Sequence, residues 1–330
     1  MYNFRSTLLV LLLGLATVCS AKEGVGPTFI DIEKAGIDYK IQGEYEGEVG
    51  GQKWGAQVIA TGDGSFRGIA FPGGLPGNGW TKDSAGDALT GKLENDTVEM
   101  ESDEFVIKVD GKFIHVFDTG LSPLGKLPKV ERKSKTLGQK PPKGATVLFD
   151  GKKSIDNWES AKIVEEELLG ATSCYTKEKL GDHKLHIEFR TPFMPAASGQ
   201  ARGNSGVYVQ SRYEVQVLDS FGLEGKDNEC GGIYQVSKPK VNMCYPPLTW
   251  QTYDIDFKAA TWKDGKKAKN ATITVRHNGV VIHDDLELPK HTPGRSKEAD
   301  SLAPLFLQDH SNPVAFRNVW VVKTSATEAK

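Results

Sequence analysis

Two short runs between residues 204 and 219 carry polar side chains of the kinds that bind sugars. Apolar and polar residues alternate in both runs, which is typical of strands with one buried and one solvent-facing side. Tyr208 and Gln210 share the polar face of the first run, and Glu214 and Gln216 share that of the second. Amides and carboxylates offer paired donors and acceptors, and tyrosine adds a flat apolar surface with a polar tip. The face therefore suits a sugar ring, although a merely solvated sheet face would also be polar.

Three other predicted strands present polar groups in the same alternating phase. They lie at residues 184–190, 305–310 and 315–320. If these strands share one sheet with the first two, a single face gathers Glu188, Tyr208, Gln210, Glu214, Gln216, Gln308, His310 and Arg317. Two carboxylates, an imidazole and a guanidinium on one face could perform general acid–base catalysis.

Each of these ionisable residues also has a structural interpretation. Glu188 and Arg190 could form an ion pair that contributes under about 1 kcal/mol to stability. His310 precedes Ser-Asn-Pro and could shape a turn, while Arg317 could clamp a carboxylate in place. The alternation predicts the faces of the strands but leaves the distances between them open.

The composition favours an all-β protein with two domains. The chain has 330 residues, 36 of them glycine, and helical periodicity is scarce. Residues 22–130 predict a small β-rich domain, and polar residues 131–143 predict a linker. Many short strands in residues 144–324 predict a jelly-roll sandwich, which a tail at 325–330 follows. The net charge of -2 gives no electrostatic case for a nucleic-acid partner.

The first 21 residues predict a cleaved export signal. Arg5 precedes an apolar run at residues 8–16 that is too short to span a bilayer, and Ser20-Ala21 offers small residues for cleavage. No later segment predicts a transmembrane helix. We therefore expect a periplasmic or secreted protein, and in such an oxidising compartment Cys230 and Cys244 could form a disulfide that stabilises by roughly 3 kcal/mol. Cys174 would then remain a buried thiol.

Nine blocks in the second domain resemble the 3-keto-disaccharide hydrolase family. The blocks follow the order of that family from about residue 145 to 323. Two mild departures are Gln251, where asparagine commonly follows the tryptophan, and Ser311, where glycine commonly follows the histidine. The blocks are LFDGK (148–152), IEFR (187–190), GNSGVY (203–208), YEVQVLD (213–219), GGIYQ (231–235), WQTYDI (250–255), HNGV (277–280), LQDH (307–310) and VAFRNVW (314–320).

The resemblance implies a concanavalin-like jelly roll and cleavage of glycosides whose glucose ring carries a ketone at carbon 3. Such a reaction needs a base for the proton on carbon 2, an acid for the leaving oxygen, and positive charge near the enolate. We expect His310 or Glu214 to be the base, the other carboxylate to be the acid, and Arg317 or a bound divalent cation to stabilise the enolate. The expected sugar-binding residues are Asn204, Tyr208, Gln210, Gln216, Asp219 and Gln308.

Two alternatives stay open at the level of sequence. Glu188 and Glu214 on one face could flank a glycosidic bond, as in an ordinary two-carboxylate glycosidase. The jelly roll could also be a binding module without catalysis, because this fold serves both enzymes and lectins. No cofactor other than the divalent cation is indicated, and the sequence does not decide the oligomeric state.

Overall fold

The structure is a computed structural model that describes residues 25–81 and 88–324. The expected export signal and the C-terminal tail lie outside these residues. Within the described ranges, no helix is both long enough and apolar enough to cross a membrane.

The first domain is a closed barrel of eight antiparallel strands in which each strand pairs with its neighbours in sequence. Strand β1 closes the barrel by pairing with β8, with Glu44 opposite Val130 and Val49 opposite Gly125. A short helix, α1 (Gly36–Ile41), precedes the barrel and follows a 3-10 turn at Ile32–Lys34. The strands are β1 (Gly43–Val49), β2 (Gln52–Gly62), β3 (Ser65–Pro72), β4 (Leu89–Glu94), β5 (Thr97–Glu101), β6 (Phe105–Val109), β7 (Phe113–Asp118) and β8 (Pro123–Val130).

The second domain is a two-sheet sandwich, which confirms the predicted jelly roll. One sheet has the order β10-β13-β22-β15-β16, and the other has the order β11-β12-β23-β14-β17-β20-β21, with β9 paired to β23. A separate hairpin joins β18 to β19. The strands are β9 (Thr146–Phe149), β10 (Trp158–Glu159), β11 (Ile163–Val164), β12 (Leu168–Gly170), β13 (Cys174–Leu180), β14 (His183–Arg190), β15 (Ser205–Val209), β16 (Tyr213–Val217), β17 (Gln251–Lys258), β18 (Thr261–Lys263), β19 (Lys266–Lys269), β20 (Ala271–His277), β21 (Val280–Leu288), β22 (Ala303–Leu307) and β23 (Ala315–Lys323), with 3-10 turns at Lys152–Asn157 and Gly199–Ala201.

The core of the sandwich lies between the two sheets and is built from the apolar phase of each alternating strand. Val207, Val215 and Leu307 from the smaller sheet pack with Ile187 and Phe189 from the larger sheet, and all five are fully buried. Each polar phase must therefore face away from the core. This orientation determines where the candidate functional residues lie.

The segment at residues 131–143, for which the composition predicts a linker, packs as a strap against the larger sheet. Ser134 and Thr136 form side-chain hydrogen bonds with Thr252 of β17, and Thr136 also donates to Asp254 at 2.6 Å. The carbonyl of Gln139 accepts a hydrogen bond from Trp320 Nε1 of β23. The strap therefore covers part of the outer face of the larger sheet.

The barrel and the sandwich are joined by polar and apolar contacts. Arg132 forms an ion pair with the buried Glu44 of the barrel. Arg202 of the sandwich donates from Nη1 to the carbonyl of Ala60 in β2 at 3.2 Å. Phe29 and Phe193 stack with ring centroids 5.9 Å apart.

The predicted disulfide between Cys230 and Cys244 is not formed in the structure. Both residues are free and buried thiols, as is Cys174. Cys230 Sγ lies 3.2 Å from the hydroxyl of Tyr253, and the Cys244 thiol donates to the carbonyl of Leu218. The two thiols are close enough to interact with each other, as the prediction required, but no covalent bond joins them.

Candidate functional site

A row of aromatic side chains and one carboxylate crosses the outer face of the smaller sheet. In register, Tyr175 of β13 lies opposite Phe306 of β22, Phe306 opposite Tyr208 of β15, and Tyr208 opposite Glu214 of β16. Tyr234 extends the row, because its N–H donates to the carbonyl of Glu214 beside the Val215–Ile233 bridge. Paired residues point to the same side of a sheet. The predicted shared face of Tyr208 and Glu214 is therefore confirmed.

The carboxyl group of Glu214 is buried beside the Tyr208 hydroxyl. Only 2 % of Glu214 is exposed. Burial disfavours the charged form and raises the pKa of Glu214 to about 7, although a hydrogen bond from Tyr208 partly offsets this effect. Burial, together with the neighbouring Glu214, also raises the pKa of Tyr208, so its hydroxyl keeps its proton. A carboxyl group whose pKa lies near neutral pH is well suited to accept or donate a proton during catalysis, because both of its protonation states are populated at that pH.

Gly206 provides the space that the Glu214 carboxylate occupies. A Cβ atom at position 206 would overlap Glu214 Oε1 and lie 2.9 Å from Cε2 of Tyr208. We expect a Gly206→Ala variant to displace the carboxylate and to lower kcat at least about tenfold, because small misplacements of a reacting group are costly. Steady-state kinetics on a 3-keto-glucoside measures the effect. A matched Gly120→Ala variant, at an exposed turn position without a positive φ where the Cβ would meet only Asp118 Oδ1 at 3.3 Å, controls for general effects of the added methyl group.

An amide network lies two residues further along β16 from Glu214, on the same face of the sheet. Gln216 lies opposite Gly206 and donates from Nε2 to Asn204 Oδ1 at 2.9 Å. Asn204 donates from Nδ2 to the carbonyl of Gln200, and its N–H donates to Asn312 Oδ1. Gln216 Oε1 is buried without a hydrogen-bond partner among residues 25–81 and 88–324. This unpartnered acceptor is suited to bind a sugar hydroxyl, because a buried polar atom without a hydrogen bond costs free energy that a new donor would recover.

The loop between β21 and β22 covers the aromatic row. Thr292 anchors it, since its hydroxyl accepts a hydrogen bond from the Glu214 N–H and donates one to the carbonyl of Arg212. Gly294 passes close to the Tyr208 hydroxyl, and the Arg295 guanidinium lies 3.7 Å from the centre of the Phe306 ring. Arg295 is exposed, so the loop brings a solvated cation over a buried aromatic face.

Gln308 and His310 lie at the end of β22 beside this face. The Gln308 N–H donates to the carbonyl of Gly206, and its side chain reaches the Tyr208 hydroxyl at 3.4 Å. His310 is exposed two residues later, between Gln308 and the Asn312 that binds Asn204. The structure therefore brings Gln308 to the row itself and places His310 in the loop along its edge.

Glu188 and Arg317 do not share a face with Glu214, so this part of the sequence prediction is wrong. They belong to β14 and β23 of the larger sheet, and the sandwich core separates them from the aromatic row. Arg317 donates from Nε to Glu188 Oε2 at 2.7 Å, and the N–H of Gly138 in the strap donates to Glu188 Oε1. Alternation predicts which phase of a strand is polar, but it does not tell which of two sheets the strand joins.

Two predicted sugar ligands, Gln210 and Asp219, have local structural contacts instead. Gln210 lies in the β15–β16 turn with φ of 52°, where its amide donates to the carbonyl of Leu180 and accepts from Arg212. Asp219 lies beyond β16 and accepts a hydrogen bond from Arg202 Nε at 2.7 Å. Both residues lie just outside the regular strands, where the alternating phase no longer predicts the direction of a side chain.

Sequence reasoning missed three members of the site, namely Tyr175, Tyr234 and Arg295. Tyr175 and Tyr234 join the row through strand register, which a single sequence does not reveal. Arg295 is in an irregular loop with no periodic pattern. The Pro293-Gly294 pair marks a turn there, but it gives no indication of what the turn covers.

The structure offers no preformed metal site in the ranges that it describes. Across residues 25–81 and 88–324, no group of three or more His, Cys, Asp or Glu side chains is arranged to hold a metal ion. The divalent cation considered from the sequence therefore has no ready set of protein ligands among these residues.

Comparison with known proteins relates the sandwich to glycoside-processing domains. Residues 144–322 match the family model described as the 3-keto-alpha-glucoside-1,2-lyase-like domain. A crystal structure from Parabacteroides distasonis, provisionally assigned as a glycosyl hydrolase, is 32% identical and has a TM-score of 0.51. The match covers 56% of this chain and 85% of that chain.

A second crystal structure from the same organism, with the same provisional assignment, is 18% identical with a TM-score of 0.41. It covers 55% of this chain and 95% of that chain. A search of curated proteins found no match.

Proposed function

Because the chain belongs to the family of 3-keto-alpha-glucoside-1,2-lyase-like domains, we propose that it is an exported hydrolase of 3-keto-glycosides. The observation that carries the proposal is the carboxyl group of Glu214, which is buried within a row of aromatic side chains and whose pKa burial raises to about 7. A carboxyl group with a pKa near neutral transfers protons, and the unpartnered Gln216 Oε1 can accept a hydrogen bond from a sugar hydroxyl. The predicted leader at residues 1–21 motivates the export.

The chemistry begins at carbon 2 of the sugar. The ketone at carbon 3 acidifies the proton on carbon 2, and Glu214 removes it to give an enolate. The enolate collapses back to the ketone, its electrons form a double bond between carbons 1 and 2, and the bond from carbon 1 to the aglycone oxygen breaks. Water then adds its oxygen to carbon 1, and a proton returns to carbon 2. The net reaction is hydrolysis.

The surrounding residues support these steps. The Tyr208 hydroxyl keeps its proton and can protonate the leaving oxygen or bind it through a hydrogen bond. Arg295 takes the role expected of Arg317, because its guanidinium lies over Phe306 near Tyr208 and can stabilise the enolate. Gln216, Asn204 and Gln308 orient the ring hydroxyls, and His310 remains the second candidate for the base.

An ordinary two-carboxylate mechanism fits this arrangement poorly. It needs two carboxyl groups about 5–10 Å apart that flank the scissile bond. Glu188, the partner expected for Glu214, faces outward from the opposite sheet and is covered by the strap. One carboxyl group with an aromatic and amide surround is better suited to proton abstraction than to direct displacement.

The test compares a 3-keto-glucoside with the parent glucoside that carries the same aglycone. We expect aglycone release from the keto substrate at least about 10³-fold faster, since only the ketone acidifies carbon 2. In deuterated water the released sugar should carry deuterium at carbon 2. Equal turnover of both substrates would exclude elimination, and sugar binding without any release would indicate a binding module. Assays with and without a chelator determine whether a cation takes part.

A further inference from the structure

The barrel encloses an apolar cavity that the proposed reaction does not use. Its volume is about 130 Å³, and apolar residues and glycines from all eight strands line it. Ala56 and Ala70 face each other across β2 and β3, and their small side chains leave the space open. The polar residues of these strands alternate with the lining residues and point outward, as Gln57 does toward Glu44.

The two ends of the barrel differ in how they are filled. At one end, helix α1 packs against the β6–β7 turn, where a Cβ atom on Gly111 would lie 3.0 Å from the Lys40 carbonyl. Ile41, Tyr45 and Phe66 fill the interior there with almost no exposure. The cavity lies toward the other end, among Trp54, Leu89 and Met100.

The rim of that second end carries exposed apolar side chains. Phe105 at the start of β6, Leu121 in the β7–β8 turn and Leu124 at the start of β8 are 38%, 59% and 38% exposed. Phe105 also lines the cavity, so the apolar surface continues from the rim to the interior. Grouped exposed apolar residues next to a cavity are typical of a ligand entrance.

We propose that the barrel is a binding site for a small molecule whose apolar group, one aromatic ring or a short alkyl chain, enters this cavity. The size supports the assignment, because an apolar protein cavity of about 150 Å³ stays dry and binds benzene. Eight-stranded barrels are either filled by side chains or hold one small ligand, and this barrel is filled at only one end. The apolar lining excludes a sugar ring, so the ligand differs from the substrate of the sandwich.

The chemistry of the ligand beyond its buried group follows from the rim. Charged side chains stand at the entrance, because the exposed Asp103 and Glu104 directly precede Phe105 in the β5–β6 turn. A ligand with a polar end can therefore leave that end in water at the rim while its apolar group is buried. Such an amphiphile gains binding free energy mainly from the apolar area that it removes from water.

The test is a calorimetric titration of the full-length protein with two neutral probes, benzyl alcohol and 1-hexanol. We expect saturable binding at one site for at least one probe. Preference for benzyl alcohol would assign an aromatic ligand, and preference for 1-hexanol an alkyl ligand. Competition between the two probes checks that they share the site.

Two variants locate the binding. Ala56→Leu extends a side chain into the cavity and should weaken probe binding at least about tenfold, while its denaturation midpoint stays equal or rises because the cavity is filled. Thr90→Leu adds a similar side chain on the exposed face of β4 and should leave binding unchanged. If Ala56→Leu fails to fold, Ala70→Leu on the facing strand replaces it. Absence of saturable binding by both probes, or binding that the cavity-filling variant leaves intact, would overturn the proposal.

Discussion

A Glu214→Gln variant is expected to lose about 10²–10⁴-fold in kcat on a 3-keto-glucoside, which is the usual range for removal of a general acid or base. The amide preserves the size of the side chain and can still accept the Tyr208 hydrogen bond, so the fold and the sugar contacts should remain. It cannot accept the proton from carbon 2. Initial rates and the denaturation midpoint measure the two effects separately.

The same substitution at Glu188 is the matched control. Glu188 and Glu214 are 1% and 2% exposed, and each lies on the outer side of a sheet, but the two sheets are opposite. We expect Glu188→Gln to keep the kcat of the folded protein, when activity is normalised to the folded fraction. A loss of less than tenfold in Glu214→Gln would transfer the role of base to another residue, with His310 as the next candidate.

The pH dependence distinguishes a base from an acid at Glu214. If Glu214 removes the proton, kcat should rise with pH through about 7, because only the carboxylate is active. If it donates the proton, kcat should fall over the same range. In either case the Gln variant should lose this transition from its pH profile.

The same titration predicts a stability effect. The pKa of Glu214 is raised from 4.5 to about 7 in the folded protein, so the folded state holds the proton more tightly than the unfolded state. The free energy of unfolding should therefore fall as pH rises from about 4.5 to 7, by about 3 kcal/mol in total. Glu214→Gln should remove this decrease. Denaturant titrations at pH 5 and pH 8 measure it, and an equal change in both proteins would contradict the buried titration.

The alternation between residues 204 and 219 predicts the orientation of Tyr208, Glu214 and Gln216 correctly. This works because a strand with one face in the core must direct every second side chain to the other face. The same argument orients Glu188 and Arg317 correctly on their own strands. It fails to assign them to a sheet, because partner choice between strands depends on long-range packing that local alternation does not contain.

The remaining errors occur where the backbone leaves the regular strand geometry. Gln210 adopts a positive φ in its turn, which redirects its side chain to Leu180. Arg295 reaches the site from a loop whose path depends on the anchoring of Thr292. The polar composition of the strap predicts a linker, yet its hydroxyls are hydrogen-bonded to polar groups on the sheet surface. Polar composition alone does not separate a linker from a segment that satisfies buried polar groups.

Glu188→Ala is expected to destabilise the protein by about 3–5 kcal/mol, the usual cost of removing one partner from a buried charged pair. Glu188 accepts hydrogen bonds from Arg317 Nε at 2.7 Å, Asn318 Nδ2 at 2.9 Å and the Gly138 N–H at 2.6 Å. His186 also lies 3.6 Å away and is held by Asp254 on its other nitrogen. Without Glu188, these donors lose their shared acceptor, and the strap loses an attachment to the sheet.

The pH dependence of this loss has the opposite sign to that of Glu214. Although burial opposes it, hydrogen bonds from His186, Asn318, Arg317 and Gly138 lower the pKa of Glu188 from 4.5 to about 2. A carboxyl group whose pKa is lowered in the folded state contributes to the free energy of unfolding. This contribution is fully present above about pH 4.5 and is lost as pH falls toward 2. The difference in unfolding free energy between the parent protein and Glu188→Ala should therefore be largest near neutral pH and shrink in acid. Denaturant unfolding at pH 7 and pH 3 measures it. If Glu188→Ala remains folded but loses kcat, the outer face of the larger sheet takes part in catalysis. The effect of the substitution would then have to reach Glu214 through the sandwich core.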